Sequence, residues 1–386
     1  MKHFLLLLIT LFSMQAHAQL TGTWATAAEF TGAGDMPLRS LANRSLRQIV
    51  HVTIGGNSLR LQLSNEFSAT QVAIKSVYIA DAADSCDIHV KSARYLTFSG
   101  RRDVTIPAGE TVFSDMLPYD LKPLQLLSIT INYGDEVPVN ATSHRGSRTT
   151  SYLMDGVSKP KKKFAATEKV DHWYNIAAID VVAGESTPCI AVLGNSITDG
   201  RGSTTNEQNR WPDKMAEALG GNTAVLNLGI GGNAVLRGGL SEPAVKRFER
   251  DIMRQRGVKT LVIFQGVNDI GGSKGNSEQV ATELMEAYTS FINQAHQAGM
   301  KVYLATITPF KGNSYYTIFH EAARQYVNQW IREQTLSDGI IDFDKLVADP
   351  NDPAKMQAKY SDDWLHLNPS GYAAMGEYAA RQISGK

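Results

Sequence analysis

Two cysteines in 386 residues, Cys86 and Cys189, are too few for a disulfide framework. Cys189 stands in an apolar run with the pattern of a buried strand, so it is read as a free buried thiol. No set of cysteines and histidines has zinc spacing, and neither a metal nor a cofactor is expected. Neither sign of charge is in excess. The 38 Lys and Arg residues balance 38 Asp and Glu, which leaves no field to draw nucleic acid or an anionic membrane surface. Internal repeats and low-complexity tracts are absent. Beyond the first residues, no segment is apolar enough to form a membrane helix.

The one strongly apolar run is at the start. Lys2 precedes Phe4 to Phe12, interrupted only by Thr10, and Ala16-His17-Ala18 has the small-x-small form of a cleavage site. The run is too short to span a bilayer. Residues 1–18 therefore read as a secretory signal peptide, with a mature chain from Gln19 that is periplasmic or extracellular.

A chain of this length exceeds one ordinary core, and its periodicity changes partway. Over 19–185 the pattern is mostly period two. Val50, Val52 and Ile54 alternate with His51 and Thr53. Gly55-Gly56-Asn57 follows, and then Leu59, Leu61 and Leu63 alternate with Arg60 and Gln62, which predicts a β-hairpin. Further strands are expected at Val72–Ile79, Asp87–Val90, Val104–Ile106, Leu127–Ile131 and Ile176–Val182. This half reads as a β-sandwich, jelly-roll-like. Lys159 to Lys163 reads as a solvated loop. Over 186–386 buried strands alternate with helices. Strands are expected at Cys189–Leu193, Ala224–Leu228, Thr260–Gln265, Val302–Ile307 and Ile340–Phe343. Glu278–Ala298 places Leu284, Tyr288, Phe291, Ile292 and Ala295 on one helix face. Ile318–Glu333 does so with Ala322, Tyr326, Trp330 and Ile331. Asn368 caps a last helix that begins at Pro369. Such alternation predicts a doubly wound parallel sheet.

Ligands of these sheets bind beyond the carboxyl ends of the strands. Four segments meet that condition: Gly194-Asn195-Ser196 after the first strand, Asn227 to Gly232 after the second, Gly266-Val267-Asn268-Asp269 after the third, and Asp363-Trp364-Leu365-His366 beyond the fifth. A serine hydroxyl becomes a nucleophile when an adjacent base takes its proton, and histidine suits that task near neutral pH. Asp363, three residues before His366, can fix the imidazole. The Gly232 N–H, the Asn268 amide and the Ser196 N–H are candidate donors to an oxyanion.

The four segments resemble the sequence blocks of the SGNH, or GDSL-type, serine hydrolases, over about residues 188 to 386. The resemblance implies a catalytic triad of Ser196, Asp363 and His366, and an oxyanion hole of Ser196, Gly232 and Asn268. It also implies a three-layer α/β/α sandwich with a five-stranded parallel sheet. Asn195 stands where the family usually has aspartate, but that acid is not the family's triad acid. The segments Arg47 to Gly56 and Leu61 to Phe67 resemble the β-sandwich part of two-domain secreted esterases linked to plant polysaccharide breakdown. The implied activity is hydrolysis of acyl esters, acetyl above all, on a polysaccharide or oligosaccharide such as xylan or pectin. A lipase or lysophospholipase of the same family and a non-catalytic glycan-binding protein are the alternatives.

Other features have plainer readings. Asp363 is preferred to Asp362 on spacing. Asp269 braces its loop, and Asp199 is a local hydrogen-bond acceptor. Trp211 is core, while Arg210 is a candidate for the cleft. Gly271-Gly272-Ser273-Lys274-Gly275 fits a nucleophile-elbow pattern, but no strand precedes it directly, so it reads as a loop. His51, His89, His144, His172, His296 and His320 read as structural or solvated.

Overall fold

A computed structural model describes residues 18–385. The leader expected over 1–18 lies outside these except for Ala18, which opens the strand Ala18–Ala25 and pairs with Gly184. The N-terminal half is all-β and antiparallel. One five-stranded sheet is built on Ala18–Ala25, Ile176–Gly184 and Gly56–Ser64. A seven-stranded sheet contains Arg44–His51, Leu126–Tyr133 and Val72–Asp81 at its centre. Leu59, Leu61 and Leu63 of the first sheet share one buried core with Val50, Ile129 and Ile131 of the second. A small third sheet joins Glu29–Phe30, Thr142–His144 and Trp173–Tyr174.

The hairpin expected around Gly55-Gly56-Asn57 does not form. Arg44–His51 and Gly56–Ser64 belong to different sheets. Val52 N–H still bonds to Gln125 O at 3.0 Å, in register with the first ladder, and the chain then crosses, Thr53 N–H bonding to Thr23 O at 3.0 Å. Apolar alternation persists on both sides of the turn because the apolar faces of both strands enter one shared core, although Arg44–His51 is buried on its polar face as well, so the pattern alone does not distinguish a hairpin from a crossing. The strand expected at Asp87–Val90 is also absent. Only Ile88 is buried there, with one bridge to Ala82, and a single apolar anchor holds no alternating face.

The antiparallel part ends at Gly184, and a five-stranded parallel sheet begins at Cys189. Its order is Ala224–Gly229, Cys189–Gly194, Thr260–Phe264, Lys301–Ala305, Gly339–Ile341. Every residue of Cys189–Gly194 is buried, as expected of a strand covered by helices on both faces. The strand order reverses beside this strand, so its carboxyl end opens the crevice where such sheets hold ligands. Cys86 and Cys189 are both free thiols.

The helix Ser277–Gln297 buries the predicted face, and Asn368 accepts from Gly371 N–H at the start of Pro369–Ser384. The helix Ile318–Glu333 turns differently from the expectation. Ala322 and Tyr326 face solvent, and Ala323, Val327 and Ile331 are buried. Arg324 and Asn328 share that inner face. Arg324 pairs with Glu321 and Asp344, and Asn328 holds both the N–H and the carbonyl of Ile307. Satisfied polar residues thus occupy core positions that a hydrophobic pattern assigns to the surface.

The two halves meet directly. Gly22 N–H donates to Arg256 O at 2.9 Å, Val225 N–H to Thr53 Oγ1 at 3.1 Å, and His51 Nδ1 lies 3.3 Å from Asp213 Oδ1. Among the described residues, no helix is long and apolar enough to cross a membrane.

Candidate active site

Ser196 opens a single helical turn, Ser196–Asp199, directly after the strand that ends at Gly194. Asn195 caps that turn, its side chain accepting from Ile197 N–H at 3.0 Å. Gly200 and Arg201 close it, each donating its N–H to Ser196 O at 2.9 Å. The serine backbone is thereby pinned and its hydroxyl is left for the cleft.

His366 Nε2 lies 2.9 Å from Ser196 Oγ, and His366 Nδ1 lies 2.7 Å from Asp363 Oδ2. The other carboxylate oxygen of Asp363 accepts the N–H groups of Leu365 at 3.0 Å and His366 at 2.7 Å. Trp364 sits between them with φ of 61°, which folds the segment tightly enough for one turn to carry acid and imidazole together. Of the two adjacent aspartates, Asp363 makes this contact. Burial raises the Asp363 carboxyl, but hydrogen bonds from His366 outweigh it and hold the group below its ordinary value. Burial depresses the His366 imidazole. Asp363 pushes it back up, Arg201 and Arg148 push it down, and it settles below its ordinary value.

Gly232 and Asn268 reach the same place from the ends of the second and third strands. Gly232 has φ of 68°, a left-handed conformation natural to glycine, and a β-carbon there would lie 2.8 Å from the Leu240 side chain. The Asn268 amide is fixed at both ends. Its nitrogen donates to Asn233 O at 2.9 Å, and its oxygen accepts from Tyr315 OH at 3.1 Å. One amide N–H has that acceptor, and the second remains available. Asp269 braces the neighbouring loop by accepting from Val235 and Leu236 N–H. Ser196, Gly232, Asn268 and His366 all line one cavity of about 320 Å³. A neighbouring cavity of about 650 Å³ shares Gly232, Leu240, Asn268 and Tyr315 with it.

One wall comes from the β-rich half, none of whose residues sequence reasoning placed at the site. Glu29, Asp35, Arg145, Gly146 and Arg148 line the cavity beside Ser196. Asp199, read from sequence as a local acceptor, has its main partner 55 residues away: His144 Nε2 lies 2.9 Å from its Oδ1. The other ring nitrogen of His144 faces the carbonyl of Ala27 at 2.9 Å and must donate to it. Both nitrogens are thus donors, the pattern of an imidazolium. Burial depresses His144, but the Asp199 and Glu29 carboxylates outweigh it and raise its proton affinity. Gly146 packs so closely that a β-carbon there would lie 1.8 Å from Asp199 Oδ2. No spacing in the sequence links residues 144–148 to the Ser196 turn. The only local signal is the density of charge in His144-Arg145-Gly146-Ser147-Arg148.

Arg210 does not line this cavity. It is buried, with Nε 2.6 Å from Asp213 Oδ2 and Nη1 3.3 Å from Ser147 O, and it ties the two halves together behind the site. Trp211 is fully buried. Ser273 of the elbow-like segment lies between two helices, 3.1 Å from His320 Nε2. The other nitrogen of His320 contacts the carbonyl of Tyr315, so this pair has no acid.

Residues 192–374 match the family of GDSL-like lipases and acylhydrolases. No curated protein matches the chain. Among solved structures, it is similar to a GDSL-like lipase from Bacteroides thetaiotaomicron, at 18% identity over 53% of this chain and 91% of that one, with a TM-score of 0.41. It is also similar to a carbohydrate acetylesterase from Sinorhizobium meliloti, at 13% identity over 51% of this chain and 99% of that one, with a TM-score of 0.41.

Proposed function

Since residues 192–374 form a domain of the GDSL-like lipase/acylhydrolase family, we propose that the chain is an exported serine esterase that removes acetyl groups from plant polysaccharide or its oligosaccharides, such as xylan or pectin. The continuous Ser196–His366–Asp363 contact carries this reading. In it, Ser196 Oγ attacks the ester carbonyl while His366 Nε2 takes its proton. Asp363 holds the ring and stabilises the imidazolium as it forms. The oxyanion is met by the N–H groups of Ser196 and Gly232 and by the free amide N–H of Asn268. His366 then gives its proton to the leaving sugar hydroxyl. The acyl-enzyme is released by water, which His366 deprotonates in turn.

The charged wall of Glu29, Asp35, Arg145 and Arg148 supports a hydroxyl-rich alcohol in the cleft rather than a hydrocarbon chain. The neighbouring cavity, with Leu236, Leu240 and Val280 in its lining, favours the second reading, a longer acyl chain. Acetate release from a panel of acetylated polysaccharides, set beside p-nitrophenyl esters of rising chain length, tests both. Acetyl esters are expected to be turned over fastest. Faster turnover of long chains would favour the lipase reading.

The pH profile is a second test. His366 must be neutral to accept the serine proton, and its proton affinity is depressed. With a neutral ester, kcat/KM is expected to rise with pH to a plateau, half-maximal below pH 6.5, the ordinary histidine value being about 6.5. A midpoint at or above pH 7 would contradict the assignment of His366 as base in this environment.

A further inference from the structure

Three guanidinium groups line the cavity that holds Ser196 and His366, those of Arg145, Arg148 and Arg201. They differ in what neutralises them. Arg145 is paired: Nε and Nη2 bond to Glu29, and Nη2 lies 3.0 Å from Ser241 Oγ. The Arg201 side chain has no hydrogen bond or ion pair among the described residues, although its backbone is fixed at both ends. Arg148 has its nearest carboxylate oxygen, Asp199 Oδ2, at 3.7 Å, and its buried Nε has no partner. The two buried acids on this wall have nearer partners than Arg148 or Arg201. Glu29 is held by Arg145, and Asp199 by His144. Asp35 stands 4.0 Å from Arg145. Arg201 therefore faces the cleft without an anion of its own, and Arg148 is held only by a long ion pair to Asp199 that leaves its hydrogen-bonding capacity unfilled.

Arg148 also adopts φ of 49°, a left-handed conformation that costs a non-glycine residue about 1 kcal/mol or more. Asn206 N–H donates to its carbonyl at 2.9 Å and holds it there. Both arginines are close enough to His366 to depress its proton affinity. They thus flank the reacting centre and are not remote surface charges.

We propose that Arg148 and Arg201 bind a carboxylate of the substrate, so that the ester presented to Ser196 is carried by an acidic sugar, a uronate residue of an oligosaccharide. This rests on the serine-esterase reading given above. A guanidinium matches a carboxylate through parallel N–H···O bonds, which a neutral sugar hydroxyl does not reproduce. Bound carboxylate also offsets the two charges that act on His366.

The experiment measures acetate release from an O-acetylated oligogalacturonide, from the same oligomer with its carboxyls methyl-esterified, and from an O-acetylated xylo-oligosaccharide. For the wild type, kcat/KM is expected to favour the free acid by on the order of 10- to 100-fold, the worth of a charge-assisted hydrogen bond. That preference should shrink as salt is added. The acid limb of the kcat profile, which reports His366 in the substrate complex, should also lie at higher pH for the acidic substrate than for its methyl ester. Arg201→Gln, at an exposed side chain, is expected to reduce the ratio of acidic to neutral kcat/KM about tenfold. Arg201→Lys should restore part of it, and adding Arg148→Gln should abolish it. Equal wild-type rates on all three substrates would overturn this inference alone. A ratio unmoved by Arg201→Gln and by the double variant would also overturn it. No acetate from any ester, p-nitrophenyl acetate included, would overturn the esterase reading and this inference with it.

Discussion

Ser196→Ala is expected to lower ester hydrolysis by on the order of 10^4- to 10^6-fold while leaving the fold intact. The loss is large because nothing else in the cavity can attack. Among the described residues the other serine paired with an imidazole nitrogen, Ser273, lacks an acid and lies outside the cavity that holds His366. The fold survives because the structural work of Ser196 is done by its backbone. Its carbonyl accepts from Gly200 and Arg201, and its hydroxyl touches only His366. Removing that one hydrogen bond costs about 0.5–1.5 kcal/mol. Steady-state kinetics on p-nitrophenyl acetate, with circular dichroism and thermal unfolding as controls, checks both parts. Activity within tenfold of wild type would remove Ser196 as nucleophile. An unfolded variant would show that its hydroxyl holds the turn.

The reach of the sequence can be judged from particular residues. Gly194 to Ser196, Gly232 and Asn268 were legible because each follows a strand of one parallel sheet, and that topology gathers strand ends along one edge; Asp363–His366 lies farther on, past a helix and a two-stranded hairpin after the last strand, and was legible from its three-residue spacing. The five parallel strands were legible for a related reason: buried runs such as Cys189–Leu193 leave no alternative burial. The β-rich half was harder. A period-two pattern says that a residue alternates between faces, but not which strand lies beside it. The segments around Gly55 therefore looked like a hairpin and instead join two sheets. Ile318–Glu333 misled for another reason. Its core face contains Arg324 and Asn328, whose burial depends on partners in distant segments. The same limit hid His144, Arg145 and Arg148. Their place at the site comes from contacts over 55 residues or more, such as His144 with Asp199 and Arg145 with Glu29, and no periodicity encodes such contacts.

Those contacts set the second large effect. Asp199→Ala is expected to destabilise the protein by about 3 kcal/mol, because it removes the nearer of the two carboxylates that hold the buried His144 imidazolium and leaves only Glu29, at 3.7 Å. Asp199 ends the one-turn helix that begins at Ser196, so activity should fall together with stability. Asp199→Asn is expected to be milder. A neutral His144 still donates through Nδ1 to Ala27 O and can accept at Nε2 from the new amide. The pH dependence tests the ion pair directly. The folded-state proton affinity of His144 is raised, so its contribution is fully present below the unfolded value of about 6.5 and is lost as pH rises through the folded value. Urea unfolding of the wild type should therefore show declining stability on the alkaline side, and Asp199→Asn should flatten that decline. If Asp199→Ala unfolds within 1 kcal/mol of wild type, or if the Asn variant keeps the full alkaline decline, the buried ion pair is not what joins the β-rich half to the serine turn. If both effects appear, the β-rich half is part of the active site itself, since the residue that carries its charge stands on the same helical turn as Ser196.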